Sequence, residues 1–245
     1  MWFLDRTARQ LRLSPALLTP RPIDLSRLES LLRQYDPGLT VSGDWFTARG
    51  TRLRRAVISE EQAALARVPL GMRGAVIARG GGKAARRLLL AGLASRLGGT
   101  LHPVEEHEAL DDHVDLEVRL DAHLSLDCEK VAQMVRPILG ERTVDHDHDL
   151  RVCRIEGRKG DPILVTYEYP PARRPGASPP GLPARDSGHV VGLEIDARDP
   201  HRSDMEVLYR AALAVSSATG GGLYSMDFPV TRFEDILPAG ARTEV

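Results

Sequence analysis

Two short segments of the sequence carry side chains whose types and spacing could do chemistry. The first reads Ala75-Val76-Ile77-Ala78-Arg79-Gly80-Gly81-Gly82-Lys83-Ala84-Ala85, an apolar run, three glycines and a helix start. Such a turn can aim backbone N–H groups and the positive end of a helix at a phosphate or carboxylate, and Arg79 and Lys83 would add charge. Arg79, Gly80, Gly81, Gly82 and Lys83 are therefore candidate binding residues for a nucleotide or an acyl-CoA compound. The G-x-x-x-x-G-K-[ST] spacing of a P-loop is absent. The second segment alternates, Asp145-His146-Asp147-His148-Asp149. On a strand His146 and His148 share one face, and two imidazoles with a third ligand such as Glu105 or His113 could hold a divalent metal. The competing reading of the same alternation is a solvated strand whose charges keep an edge from pairing.

The glycine-rich segment resembles the pyrophosphate loop of the GNAT acetyltransferases, which also lies between a strand and a helix. The resemblance is confined to that loop, and the elements expected before it do not follow an acetyltransferase order. No G-x-S-x-G elbow, S-x-x-K motif, kinase signature or H-E-x-x-H pair occurs, so catalysis has no support in the sequence and no cofactor is expected. Cys128 follows Asp127, a predicted helix cap, and reads as a boundary residue; Cys153 reads as buried packing in a strand. A further segment, residues 170–187, is too rich in Pro, Gly and Ser to pack and is predicted to be a mobile loop. Its Arg173, Arg174 and Arg185 are candidate contacts to a partner, because an extended Pro-rich arm has little entropy left to lose on docking.

The elements that must position these groups follow from composition and pattern. A chain of 245 residues with 42% hydrophobic and 27% charged residues can bury either one large core or two smaller ones. A net charge of −1, with basic residues spread along the chain and only 4% aromatics, disfavours nucleic acid and anionic membranes as partners. No leader-like N-terminus and no apolar run of membrane-spanning length is present, and two isolated cysteines suit a reducing compartment, so a cytoplasmic location is expected.

The sequence also repeats itself. Residues 24–44 align without a gap on 127–147, with Asp24, Arg33, Thr40, Val41 and Asp44 meeting Asp127, Arg136, Thr143, Val144 and Asp147. Leu28, Leu31, Leu32 and Tyr35 fall opposite Val131, Met134, Val135 and Ile138, each set one apolar helix face behind an Asp N-cap. Residues 74–101 and 190–223 each read as strand, loop, Ala/Leu-rich helix, Gly-Gly stop and closing strand, and Ser203 with Glu206 reads as a capping box for the second of these helices. The expected fold is α+β, a tandem duplication of a two-layer split βαβ (ferredoxin-like) module over residues 1–108 and 109–245. Each copy runs strand, helix, a meander of about three strands, helix, strand. The opening strand of the first copy is the weakest element, because Pro15 interrupts its candidate residues.

With catalytic motifs absent and the scaffold doubled, the expected function is a non-enzymatic protein-interaction module, with an immunity-type inhibitor that binds and neutralises a partner protein as one form of it. Bacterial immunity proteins share this general look. The alternative is a small-molecule binding protein or transferase built on residues 79–83.

Overall fold

The fold was taken from a computed structural model, which describes residues 5–102, 115–121, 124, 126–147, 150–168, 189–195 and 200–237. It is α+β, with two antiparallel sheets and six α-helices among the described residues. The chain forms two compact units, Met1–Asp111 with Met226–Val245, and Asp112–Ser225. The first division lies near the sequence boundary at 108, while the chain from Met226 onward belongs to the first unit.

The first unit contains α1 (Arg6–Leu13), β1 (Ala16–Thr19), α2 (Leu25–Tyr35), β2 (Thr40–Ser42), β3 (Trp45–Ala48) and β4 (Thr51–Val57), followed by α3 (Glu60–Ala66), β5 (Gly74–Gly80), α4 (Lys83–Leu97) and β6 (Thr100–His102). Its sheet runs β2-β3-β4-β5-β1-β6. Local chemistry sets most boundaries. The Asp24 carboxylate accepts the Arg27 N–H at 2.7 Å and starts α2, whose Leu28, Leu32 and Tyr35 form the buried stripe. Ser59 and Gln62 form a reciprocal capping box at α3. Gly98, at φ 71°, ends α4 in the left-handed conformation that only glycine adopts without steric cost.

Two elements differ from the expectation. Helix α1 was not expected, since only Ala8 and Leu11 give it an apolar side; Asp5 caps it by accepting the Thr7 N–H. Strand β1 forms after Pro15 rather than through it. Pro15 lends only its carbonyl, which accepts the Ala78 N–H at 2.9 Å, so its missing donor costs nothing. All four β1 residues are buried because both faces of the sheet are covered here. Leu17, Leu53, Val76 and Ala78 pack in one cluster with residues of α2 and α4. Ala16, Leu18, Ala75 and Ile77 pack in another with residues of α1 and α3. The first unit is thus three-layered where a two-layer module was expected.

The second unit contains β7 (Asp115–Arg119), α5 (Cys128–Leu139), β8 (Thr143–Asp147), β9 (Val152–Glu156), β10 (Ile163–Glu168), β11 (Val190–Ile195), α6 (Arg202–Thr219) and β12 (Gly222–Ser225). Within it the strand order is β12-β7-β11-β10-β9-β8. Counted from each unit's own first strand, both sheets therefore read 2-3-4-5-1-6, with a meander of four strands rather than about three. Asp127 caps α5 by accepting the Lys130 N–H at 2.8 Å, as Asp24 caps α2. The expected Ser203 cap is not formed: α6 starts two residues earlier with His201 at its N-cap, and Glu206 instead pairs with Arg202 at 3.2 Å. Gly99 and Gly221 repeat one device. A Cβ on Gly99 would lie 2.4 Å from Leu17 Cδ1, and one on Gly221 would lie 2.5 Å from Leu120 Cδ2, so each lets the end of a helix approach its unit's opening strand.

After β12 the chain turns at Met226 and Asp227, both at positive φ, into β13 (Phe228–Pro229) and a 3-10 turn over Phe233–Asp235. No described helix is long and apolar enough to cross a membrane.

One partly buried polar pair gives the second unit a pH dependence. The Tyr167 hydroxyl, on a fully buried ring, bonds the Leu126 carbonyl at 3.0 Å and His189 Nδ1. Burial holds the His189 imidazole below the ordinary histidine range, so the unfolded chain binds its proton more readily than the folded one. Its contribution to stability is complete above the unfolded-state pKa of about 6.5 and falls as the pH drops through that value toward the lower folded one. An NMR titration of the His189 ring is expected to give a midpoint below that of a histidine peptide; an equal or higher midpoint contradicts it.

Candidate functional site

Strand alternation in the first unit brings together side chains that are far apart in the sequence. Trp45 lies directly across from Arg54, and Arg54 from Ile77; Thr47 lies across from Arg52, and Arg52 from Arg79. Residues opposite one another in antiparallel strands share a face, so Trp45, Thr47, Arg52, Arg54 and Arg79 stand on the side of the sheet that carries α1 and α3. Three guanidinium groups surround the Trp45 ring, Arg52 at 4.8 Å from its centroid and Arg54 and Arg79 each at 5.9 Å. The ring's negative face orients them. Arg52 and Arg79 are exposed, while Trp45 and Arg54 are partly buried.

What this group lacks is a carboxylate in direct ion-pair contact. None of the three has an ion-pair partner among the described residues. Arg54 donates from Nη2 to Thr7 Oγ1 at 3.4 Å, and its buried Nε has no acceptor. Burial lowers the Arg54 pKa, the neighbouring cations Arg6 and Arg79 lower it further, and Asp44 and Asp5 act only partly against them. Held so close, like charges repel, and an arriving anion relieves that repulsion.

The structure separates the expected ligand set. Arg79 belongs to the Trp45 group, and Gly80 to Lys83 form the turn into α4. Gly80 and Gly81 take consecutive left-handed conformations at φ 69° and 62°, and a Cβ at Gly81 would lie 2.5 Å from Thr51 Oγ1. Arg86 Nη1 donates to the carbonyl oxygens of Gly80 at 2.8 Å and Gly81 at 3.0 Å, so a cation of the chain itself already ties the loop down. Gly82 supplies no side-chain cap, and Lys83 is exposed at the start of the helix.

In the second unit a different group forms. Cys128 opens α5 and Cys153 lies in β9, both buried, and a disulfide joins them with Cα atoms 6.1 Å apart. The separate packing roles expected for the two cysteines are thus corrected: helix and sheet bring residues 25 positions apart into one bond. His146, on β8 and exposed, lies directly across from Cys153, with Nδ1 3.3 Å from Cys153 Sγ. The donor atoms of Cys128, His146 and Cys153 all lie within 4.8 Å of one another. His148, Glu105 and His113 lie outside the described residues, as do Arg173, Arg174, Arg185 and the whole of 170–187.

Comparison with protein-family models, with curated proteins and with solved structures finds no match.

Proposed function

We propose that this chain is a non-enzymatic protein-interaction module, of the kind that binds and neutralises a partner, and that its first unit receives an acidic stretch of that partner on the face formed by Trp45, Arg52, Arg54 and Arg79. The observation that carries the reading is the set of three guanidinium groups gathered round one ring with no carboxylate partner among the described residues. Trp and Arg dominate the energetics of protein interfaces, and a guanidinium already oriented against a ring loses less freedom when it clasps a carboxylate. Strand β2 borders the same face, is exposed along its whole length and ends the sheet, so a partner has backbone groups to pair with beside the charges.

The same proposal includes a tandem duplication of a ferredoxin-like module, which would double a scaffold without adding catalytic groups. The common strand order, the Asp caps of α2 and α5 and the paired closing glycines favour it. A cytoplasmic location, in which the Cys128–Cys153 pair would stand reduced, belongs to the same proposal.

The alternative, a small phosphate-bearing ligand such as a nucleotide or acyl-CoA held by residues 79–83, shares Arg79 with this site. One experiment separates them. In a Trp2→Phe background, Trp45 fluorescence is titrated with an Asp/Glu-rich peptide, a single-stranded oligonucleotide and ATP. The peptide is expected to give a saturable change that weakens with salt, and Arg52→Glu with Arg79→Glu to weaken it at least tenfold, about 1.4 kcal/mol. Tighter binding of ATP or the oligonucleotide, or indifference to both reversals, overturns the protein reading. From cell lysate, one stoichiometric partner lost on the same reversals is the corresponding result.

A further inference from the structure

The geometry points to a binding site for a thiophilic metal ion, Zn²⁺ or an ion like it, formed by the thiolates of Cys128 and Cys153 with the imidazole of His146. A disulfide alone needs two sulfurs. Here a third donor is supplied from the neighbouring strand, with Nδ1 3.3 Å from Cys153 Sγ and all three donor atoms within 4.8 Å of one another. Ligands about 2.0 to 2.3 Å from a common tetrahedral ion stand roughly 3.3 to 3.8 Å apart, so small adjustments of three side chains enclose one ion. Two sulfurs and one imidazole are a soft set, suited to Zn²⁺ or Cu⁺ rather than to Mg²⁺ or Ca²⁺.

The elements that carry the donors are rigidly placed. His146 and Cys153 are a cross-strand pair of one hairpin, and Cys128 stands at the first turn of α5, where unpaired N–H groups favour a thiolate. The first unit lacks the arrangement for a definite reason. Its matching hairpin pairs Thr40, Val41 and Ser42 with Thr47, Phe46 and Trp45 and then turns at Gly43 and Asp44. The second pairs Thr143, Val144 and Asp145 in the same way and continues for two more pairs, the first of which is His146 with Cys153. The counterpart of Cys128, at the offset of the repeat, is Leu25. The donors thus occupy an extension peculiar to one unit. Both sulfurs are buried and His146 is exposed, which gives an ion a dry floor and one open side, where solvent completes the coordination.

Loading requires the reduced pair. A thiol reductant gives two electrons and two protons to the Cys128–Cys153 bond and ends as its own disulfide, leaving two thiols. Zn²⁺ then displaces both thiol protons and binds two thiolates and a neutral imidazole, so the complex carries no net charge into a buried position.

The test uses the full chain, reduced with a phosphine, stripped of metal and titrated anaerobically with Co²⁺ and then Zn²⁺. One Co²⁺ per chain is expected, with thiolate-to-cobalt charge-transfer absorption in the near ultraviolet and intense visible bands of a tetrahedral ion, both abolished by Zn²⁺. Cys128→Ser is expected to remove most of the charge-transfer absorption. His146→Ala, at an exposed position where folding is not at stake, is expected to weaken binding at least tenfold and shift the visible bands, whereas Asp145→Ala leaves both unchanged. Chain oxidised with diamide is expected to bind no Co²⁺ with thiolate absorption. Absence of that absorption in the reduced chain, or a His146→Ala variant that matches wild type, overturns the site.

Discussion

Phe228→Ala is expected to destabilise the first unit by about 3 to 5 kcal/mol, the usual cost of emptying a large buried ring site. Phe228 is fully buried, 136 positions beyond the helical glycine it rests on. A Cβ at Gly92 would lie 2.4 Å from the Phe228 ring, so the absence of a side chain there is what admits it. The Tyr35 ring lies 4.9 Å away and the Arg96 guanidinium 4.6 Å above the Phe228 face. Arg96, only 2% exposed, also donates to the Gly92 carbonyl at 3.1 Å. Removing the ring therefore opens a cavity and takes an aromatic face from a buried cation. Urea unfolding followed by Trp45 fluorescence is the measurement, since that ring reports on the first unit. A loss below about 1 kcal/mol would show that the segment after Met226 is an accessory to this core and not a part of it. Ending the chain at Ser225 is expected to reproduce the defect.

Breaking the Cys128–Cys153 bond is expected to cost the second unit about 3 kcal/mol, from the loop entropy returned to the unfolded chain by a separation of 25 residues. The effect should appear as a lower urea midpoint with a phosphine present, and Cys128→Ser without reductant should give nearly the same value. Cys153→Ser should cost about as much, because its buried hydroxyl would have His146 Nδ1, 3.3 Å from Cys153 Sγ, as a hydrogen-bond partner. If reduction leaves the midpoint unchanged, the bond contributes nothing to the folded unit. Zn²⁺ added to the reduced chain should recover part of the loss, since an ion that binds only the folded form stabilises it by mass action.

Both effects rest on contacts between residues far apart in the chain, which a sequence does not disclose. Periodicity and capping are local, and the residues that report them are neighbours in the chain. Asp24 and Asp127 stand one turn ahead of the stripes they cap, Ser59 and Gln62 cap each other, and Gly98 and Gly220 end their helices in a conformation that favours glycine. Errors came where local signals were weak or had rivals. Helix α1 shows few apolar residues because it is short and buries only Ala8 and Leu11 as apolar side chains, and Ser203 lost the cap of α6 to a helix that begins two residues earlier. Pro15 reads as a strand breaker until its only ladder contribution is seen to be a carbonyl.

The Arg face was half legible. Arg79 stood out beside its glycines, and Arg52 and Arg54 alternate as residues on one face of a strand must, but that they meet on one side of Trp45 depends on which strands are neighbours. The Cys128, His146 and Cys153 group was legible only as a histidine on a strand, because neither cysteine has a partner at metal-ligand spacing. The sequence by itself thus determined the α+β class and the caps and stops that bound many of its helices. Tertiary structure alone decided the cover on the second face of the first sheet, the return of Phe228 to Gly92 and the meeting of the two cysteines. The physical reason is that propensity, capping and turn chemistry act within a few residues, whereas packing pairs groups by shape and register across any length of chain.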